Sequence, residues 1–529
     1  MPKSKKRRKL NVGNSLNLLS NLTGFDDAST VTDSLDDCME LFKMQQSSNV
    51  VASPQTETTN GPVSTSIVEK RPIWKIQKDK SAEKIEAWNR TFLSWTHGGK
   101  YTPGLLPNID EELTRNFKVK ELSSLLLKSG GDIRMPVFER WLLDSKLEET
   151  INNKMKGPSD PVLPVKTSPK SEASIRLIQE LCQYQDESQA EKIVAELCRN
   201  TNLKCQQLLA GADRYRRQSP LNRGDRIEIE RQEESDAISI LYSRKKWKKP
   251  FCFKLNKEHY HKLCERFFEI HNNGRRVTTK LDRKNQKVMH GFTTLILSLL
   301  LRYSSLSGGQ LLQDLRGGGM QGAIHKQVFE VLESTFDGPW LEGFASPFNA
   351  CLPVFGSAFP ELEWHFGSIG AFGSIPFHKG GGCCEANPPF SPGVMNQMSK
   401  HIINQIEKAE KNNVELTFVI VVPTANGPQD SAAVKQSASH SFERLVKSSY
   451  CRRHIIFLAR KHGYLEGAQH LRPTRYKESA YDTSVILLQS QSASLAEAID
   501  LEKFENDLRD AFASRHGVEL AERREGKKV

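Results

Sequence analysis

The sequence predicts an α/β protein with a mostly parallel sheet, preceded by a helical accessory region and a disordered amino-terminal tail. Three observations predict it. After about residue 325, short β-rich runs alternate with helical segments. Between Ile85 and Leu209, apolar residues recur at mostly helical spacing. Residues 1–70 are rich in Ser, Thr, Asn and Asp with few aromatics. The chain has 529 residues, which at about 150 residues per domain allows roughly three units and a large core.

The tail, residues 1–70, cannot bury enough apolar surface to offset its chain entropy, so it is expected to be disordered, with a short helix around Leu35 to Met44. It opens with Lys3, Lys5, Lys6, Arg7, Arg8 and Lys9, a compact basic run that reads as a nuclear-import signal or, alternatively, as a solvated basic tail.

Residues 71–324 are expected to form the mainly helical accessory region. Trp88, Phe92, Trp95, Leu122, Leu125, Leu126, Leu127, Phe138, Trp141 and Leu142 supply its first apolar set. Trp74 and Trp95 suggest a WW module, but Gly98 stands where its closing proline belongs, so no WW domain is expected. A Pro- and Lys-rich linker follows, Lys154 to Ser171. Helices are then expected over Ile175 to Leu209, His259 to Ile270 and Phe292 to Tyr303. Cys252, His259, His261 and Cys264 are a compact Cys/His cluster whose spacing fits no common zinc pattern, so no metal is expected. Lys245, Lys246, Trp247, Lys248 and Lys249 suit either an RNA-contacting loop or a solvated turn. The run Arg316 to Gly322 reads either as backbone N–H groups offered to an anion or as a linker.

Residues 325–494 carry the sheet. Strands are expected at Glu342 to Ser346, Cys383 to Ala386, Leu416 to Val422, His454 to Ala459 and Thr483 to Leu488, with helices at His325 to Thr335, Val394 to Lys411 and Phe442 to Lys447. Such sheets bind ligands beyond the carboxyl ends of their strands, where Ser346-Pro347 and Asn387 fall. Residues 495–529 read as a last helix and a charged tail.

Asn387-Pro388-Pro389-Phe390 is the stretch richest in chemistry, and it suits methylation of a planar exocyclic amine such as adenine N6. The lone pair of that amine is delocalised, so a catalyst must hold its N–H groups with acceptors that favour pyramidal nitrogen. The Asn387 side-chain carbonyl and the Pro388 backbone carbonyl are two such acceptors. Consecutive prolines fix φ and remove competing donors, and Phe390 offers a face for an unstacked base. The bland alternative is a rigid turn after a strand.

The net charge of +12 and a pI near 9.1 suit a polyanionic partner. The ten cysteines include no Cys-x-x-Cys pair, and no secretory signal is seen, so reduced thiols inside the cell are expected. The longest apolar run, Leu295 to Leu301, is far short of the roughly twenty residues that span a bilayer, and no membrane partner is expected.

One family shares an ordered set of these features. Leu301-Arg302-Tyr303, Gly319-Met320-Gln321, Phe344-Ala345-Ser346-Pro347, Ser357-Ala358-Phe359-Pro360, Phe366-Gly367-Ser368, Glu385-Ala386-Asn387-Pro388-Pro389-Phe390, Gln469-His470 and Thr483 to Leu488 occur in this order. Over roughly residues 290–490 the chain resembles the phosphorylated-CTD-interacting-factor family of cap-specific adenosine-N6 methyltransferases.

The resemblance implies a Rossmann-like domain that uses S-adenosylmethionine, beside a helical domain, acting on the 2′-O-methyladenosine that follows the cap of an RNA. It makes Asn387, Pro388, Pro389 and Phe390 the catalytic motif. Ala345, Ser346, Pro347 and Asn349, with Asn387 and Phe390, become cofactor-binding residues. For the cap itself, Tyr464, His470, Arg472 and Lys461 are nominated as a surface offering an aromatic face and positive charge.

The chain also departs from that family. Its animal members carry an amino-terminal WW domain, which is not expected here, so a link to the RNA polymerase II tail is not implied. Ser391-Pro392 stand where those members place an acidic residue, and Val422 to Ala425 lack a Trp and an Arg. Two other readings stay open: an adenosine-N6 methyltransferase acting on internal RNA or DNA adenine, and an RNA-binding factor without catalysis.

Overall fold

The computed structural model describes residues 90, 91, 94 and 95 and then residues 106–513, apart from 130–132, 134, 153–157, 219–220, 222–223, 232–236, 246, 272–285, 310–321, 425–439, 467–475 and 497. The expectations for residues 1–70, for Trp74, Trp88 and Phe92, for Gly319 to Gln321 and for Gln469-His470 fall outside the described residues.

The first part packs helices α1 (Ile109–Lys128), α2 (Met135–Asn152), α3 (Glu172–Leu181) and α4 (Glu187–Arg217). Side chains cap three of them: Asn108, Ser171 and Asp186 each accept backbone N–H bonds from the first turn of α1, α3 and α4. The helical pattern expected over Ile175 to Leu209 is formed by two helices, α3 and α4, separated before the Asp186 cap.

Three antiparallel strands then interrupt the helical region: β1 (Arg226–Arg231), β2 (Ala237–Ser243) and β3 (Phe251–Asn256), in the order β1-β2-β3. They were not expected, although Phe251, Phe253 and Leu255 alternate with the period of a strand. Helices α5 (Lys257–His271) and α6 (Gln286–Leu306) follow. The long apolar run lies inside α6, where Leu295, Ile296, Leu297, Leu299, Leu300 and Leu301 are wholly buried and form the centre of the first core. Among the described residues no helix is long and apolar enough to cross a membrane.

The second part is a seven-stranded sheet flanked by helices. Its strands are β5 (Trp340–Ala345), β6 (Phe355–Ser357), β7 (Ser368–Gly370), β8 (Gly382–Ala386), β9 (Leu416–Pro423), β10 (Cys451–Phe457) and β13 (Thr483–Gln489). Their order is β10-β13-β9-β8-β5-β6-β7. Strands β5 to β9 pair in parallel, and β13 runs antiparallel to both β9 and β10. Every residue of β9 and β13 is buried, as expected of strands covered on both faces.

Strand periodicity sorts those residues. Cys384, Ala386, Phe418, Ile420, Ile486 and Leu488 meet Met395, Met398, Ile402 and Ile406 of α8 (Pro392–Lys411). On the other face, Cys383, Val419, Val421, Val485 and Leu487 meet α7 (Lys326–Thr335) and α9 (Leu501–Phe512). A third small sheet, β12 (Tyr476–Glu478), β11 (Gly463–Glu466) and β4 (Gly322–Ala323), follows the order β12-β11-β4.

The two parts share a core. Phe348, Phe359, Leu362 and Phe366, from the segments after β5 and β6, belong to the same buried cluster as α6. Arg302 of α6 holds Glu112 of α1 at 2.5 Å and Glu361 at 2.6 Å, and the Tyr303 hydroxyl donates to Glu363 at 2.5 Å. Burial pushes the Glu112 carboxyl up, but Arg115 and Arg302 outweigh it and bring it down to about 2. Its contribution to stability is therefore present above the ordinary value of 4.5 and is lost as pH falls toward 2.

Arg302→Ala, which leaves Glu112 with one of its two cations and removes the tie to Glu361, is expected to lower the unfolding free energy at neutral pH by about 3–5 kcal/mol. Urea denaturation of both proteins checks it.

Candidate active site

The chain runs outward from β5 through β6 to β7 and returns on the other side of β5 as β8, so the strand order reverses between β5 and β8. In open sheets of this kind the crevice beyond the carboxyl ends at the reversal is where ligands bind. Ala345 ends β5 and Ala386 ends β8. The two motifs singled out in the sequence therefore flank one crevice, Phe344 to Asn349 on one side and Asn387 to Phe390 on the other.

Asn387 is nearly buried, and its Nδ2 donates to the Gly322 carbonyl of β4 at 3.0 Å. That bond fixes the amide and turns Oδ1 the other way. In the tetrad's turn the Pro389 carbonyl accepts from Ser391 N at 2.7 Å. The Pro388 carbonyl is left with no hydrogen bond among the described residues. The two acceptors that the amine chemistry calls for, Asn387 Oδ1 and Pro388 O, are thus the ones the turn does not consume. Phe390 is half-buried and stands edge-on to Tyr481, with ring centroids 5.6 Å apart and planes at 81°.

Asp144 of α2 secures the far end of the tetrad. Its carboxylate accepts from the Ser391 hydroxyl and, at 3.1 Å, from Gly393 N in the first turn of α8. Arg176 of α3 pairs with it at 3.1 Å. Burial raises the Asp144 carboxyl above its ordinary value although Arg176 opposes it. The helical part thus delivers a carboxylate to the place where the sequence has Ser391-Pro392.

The segment after β5 closes on itself. Asn349 Oδ1 accepts from Ser346 N at 2.6 Å and from Ser346 Oγ at 2.9 Å, and Ala350 N donates to Ser346 O at 2.9 Å. Ala345, Ser346, Pro347 and Asn349 stand together at the crevice, with Ser346 and Asn349 bonded to each other. The turn is held from behind by Arg266 of α5, which donates to the carbonyls of Ala350 and Leu352 at 2.9 and 2.8 Å. Burial pulls the Arg266 pKa down.

Of the residues nominated to meet the cap, Lys461 is exposed in the turn before β11, while His470 and Arg472 lie outside the described residues. Tyr464 is a correction. It is 7 % exposed, its hydroxyl is 2.6 Å from Thr483 Oγ1, and it packs in the core of the α7 and α9 face, so it offers no aromatic face to solvent.

Sequence reasoning gave no role to Glu385, although it stands in the quoted motif. By the two-residue period it shares the α7 and α9 face with Cys383. It is 1 % exposed, it lies opposite Glu342 in the β5·β8 register, and its Oε1 has no hydrogen-bond partner. Glu342 is better provided for: its Oε2 accepts from Cys351 N and Leu352 N at 2.7 and 3.0 Å. Burial first, and the neighbouring Glu342 second, hold the Glu385 carboxyl well above the usual range.

The mostly parallel sheet, with its strand order reversed between β5 and β8, fits a methyltransferase. Residues 271–467 match the family described as Phosphorylated CTD interacting factor 1 WW domain. The family resemblance read from the ordered motifs is borne out over that segment. The description includes a WW domain, so the expectation that none is present is not borne out. The match falls on the segment from α5 to β11 rather than on Trp74 to Gly98, where such a module was weighed.

Among curated proteins, the chain is 31% identical over 201 residues to the Homo sapiens mRNA (2′-O-methyladenosine-N(6)-)-methyltransferase and 30% identical over 201 residues to the Mus musculus protein of the same name. Each alignment covers 38% of this chain and 26% of the relative. The chain thus spans about a quarter of the length of these relatives.

Those names imply an S-adenosylmethionine methyl donor. The residues present fit such a group: among the described residues the buried Glu385 Oε1 has no hydrogen-bond partner, and the ring of Phe390 is half-buried.

Asp144→Ala should remove the acceptor for Ser391 and Gly393 and leave Arg176 with one acid fewer, at a cost of about 1–3 kcal/mol in stability. Asp144→Asn, which keeps one acceptor oxygen, should lose less. Urea unfolding of the two variants orders them, and equal losses would show that one remaining oxygen does not hold the clamp.

Proposed function

We propose that this chain transfers a methyl group from S-adenosylmethionine to N6 of the adenosine next to the cap of capped mRNA. The observation that carries the reading is the Asn387-Pro388-Pro389-Phe390 turn at the strand reversal, where neither Asn387 Oδ1 nor Pro388 O accepts a hydrogen bond among the described residues. The strand order β10-β13-β9-β8-β5-β6-β7, with β13 reversed, supports assigning the sheet to a Rossmann-like methyltransferase domain, with the preceding helices as its accessory domain. The names of the human and mouse relatives supply the substrate class.

The cofactor brings an electrophilic methyl group on a sulfonium. The chain does the rest by position. Asn387 Oδ1 and Pro388 O accept the two N–H bonds of the amine, which favours pyramidal nitrogen and aims its lone pair. Phe390 stacks the base. The hydrogen bond from Asn387 Nδ2 to Gly322 prevents the amide from turning its NH₂ toward the substrate. No strong base is required, because the amine proton becomes acidic only after nitrogen has bonded to carbon, and it can then leave to solvent. Ala345, Ser346, Pro347 and Asn349 shape the cofactor side of the crevice. Lys461, with His470 and Arg472, supplies positive charge for the triphosphate bridge of the cap.

The same reading makes the protein nuclear, through the basic run Lys3 to Lys9. The description of the matched family makes the phosphorylated polymerase tail a candidate partner.

Asn387→Ala should cut turnover on capped, adenosine-starting RNA by on the order of 100-fold, equivalent to about 3 kcal/mol, while cofactor affinity stays close to that of the unmodified chain. Capped, triphosphate-ended and internal-adenosine RNAs of one sequence, assayed at two salt concentrations, test the substrate. Preference for the capped RNA is expected. Equal turnover on all three would favour internal adenosine, and no turnover on any would favour a binding factor.

Phe390→Ala should weaken base stacking by about 1–3 kcal/mol, read as a raised KM for RNA at unchanged cofactor affinity. Unchanged RNA kinetics would remove Phe390 from the base-binding role.

A further inference from the structure

Glu385 and Glu342 face each other across adjacent strands of a buried sheet, two carboxyl groups where the surrounding core is apolar. Replacing such a pair by neutral side chains would ordinarily be neutral or stabilising, so its presence calls for a partner. Glu342 finds one in the N–H groups of Cys351 and Leu352. Lys262 and Arg266 also act on it from α5. Glu385 finds none among the described residues: Oε1 is buried without a hydrogen bond, and its other titratable neighbours are Cys383, Cys384 and the buried phenol of Tyr464.

Its position gives that unpartnered oxygen a direction. Glu385 is the last residue but one of β8, and Asn387, two residues on, reaches Gly322 at the carboxyl end of the sheet. A ligand seated in the crevice against Asn387 therefore has one buried acid within reach along the same strand. An apolar ligand group would leave that acid as poorly satisfied as before. A cation would satisfy it.

We propose that Glu385 is the anionic contact for the α-ammonium group of the amino-acid end of S-adenosylmethionine. This rests on the methyltransferase reading above and adds to it the residue that recognises the cofactor's amino acid. Burial and Glu342 raise the Glu385 carboxyl above its ordinary value, and pairing with the ammonium would bring it down again, any proton released going to solvent. No covalent bond forms or breaks.

The test uses the full chain and three ligands in calorimetry: S-adenosylmethionine, S-adenosylhomocysteine, and 5′-methylthioadenosine, which lacks the amino-acid end. Glu385→Gln should weaken the first two by the same factor, tenfold or more, and leave 5′-methylthioadenosine binding unchanged. Equal weakening of all three would mean a distorted crevice and overturn the assignment. Weakening of S-adenosylmethionine alone would place the carboxylate at the sulfonium and overturn it as well, as would no change in any.

A second measurement needs no variant. Pairing with the ammonium lowers a carboxyl that burial raises, so binding of S-adenosylmethionine to the unmodified chain should release protons at a pH where that carboxyl is partly protonated, seen as a dependence of the observed enthalpy on buffer ionisation; proton uptake on binding would overturn the proposal. Should the unmodified chain bind S-adenosylmethionine while Glu385→Gln behaves identically, the methyltransferase reading stands and this inference falls. Should it bind none of the three, both fall.

Discussion

The carboxylate of Glu112, buried between the guanidinium groups of Arg115 and Arg302, is the interaction on which the placement of the crevice depends. Three charges out of water are stable only if each is met in good geometry. Arg115 therefore also engages Asp160 at 2.8 Å, and Arg302 engages Glu361 at 2.6 Å. Since Arg302 and Tyr303 are neighbours on α6, the same turn that satisfies Glu112 carries the Tyr303 hydroxyl to Glu363. One helical turn thus ties the accessory helices to the segment between β6 and β7. Phe348 and Phe359 stand edge-on to Tyr303, with centroids 5.8 and 5.4 Å away. The turn after β5 cannot shift without disturbing that packing, and so one wall of the crevice is set by a charge cluster on the helical side.

The other wall is fixed by different means. Pro388 and Pro389 remove backbone freedom, and the two ends of the tetrad are bonded to different parts of the protein: Asn387 to β4, Ser391 to Asp144 of α2. Holding the tetrad from both sides spares the entropy that a free loop would lose on binding. Asp144 also accepts an N–H from the first turn of α8, one of the donors that a helix start leaves without an internal partner, so the helix that packs beneath β8 and β9 begins at a defined place. The crevice is therefore framed by the helical part on both walls, at Tyr303 and at Asp144.

What the sequence made legible follows from how local each signal is. Strands β5, β8, β9 and β13 are readable because buried strands are short, largely apolar runs, and β10, an edge strand, is readable from its Ile455-Ile456-Phe457 end; the ends of all five fall within a few residues of those expected. Strands β6 and β7, three residues each, carry no periodicity to read. Strands β1 to β3 did carry it, but they lie in a stretch dominated by charged residues and helical neighbours. The tetrad was legible because its chemistry is confined to four consecutive residues. Asp144 was not, since it stands 247 residues before its partner Ser391 and only folding brings α2 to the start of α8. Tyr464 was misplaced for a related reason: an aromatic close to Gly463 and Lys461 looks like a loop residue until the pairing of β11 with β4 and β12 turns it inward.

The motifs that carry the family resemblance divide into two kinds once their surroundings are known. Leu301-Arg302-Tyr303 and Ser357-Ala358-Phe359-Pro360 meet at the joint between helices and sheet. In Phe366-Gly367-Ser368 the glycine has a φ of +114°, and a Cβ there would run into the Pro353 carbonyl oxygen, so no other residue fits without moving the backbone. These are requirements of architecture. Glu385 to Phe390 is different, because among the described residues it contains groups that accept no hydrogen bond: a carboxyl oxygen, an amide oxygen and a backbone carbonyl, all at the end of one strand. Polar groups elsewhere in the joint are matched one to another, Glu112 by two arginines and Glu363 by Tyr303 and the Phe359 N–H. The acceptors left over at the end of β8 stand at the strand reversal, where a ligand of an open sheet would complete them.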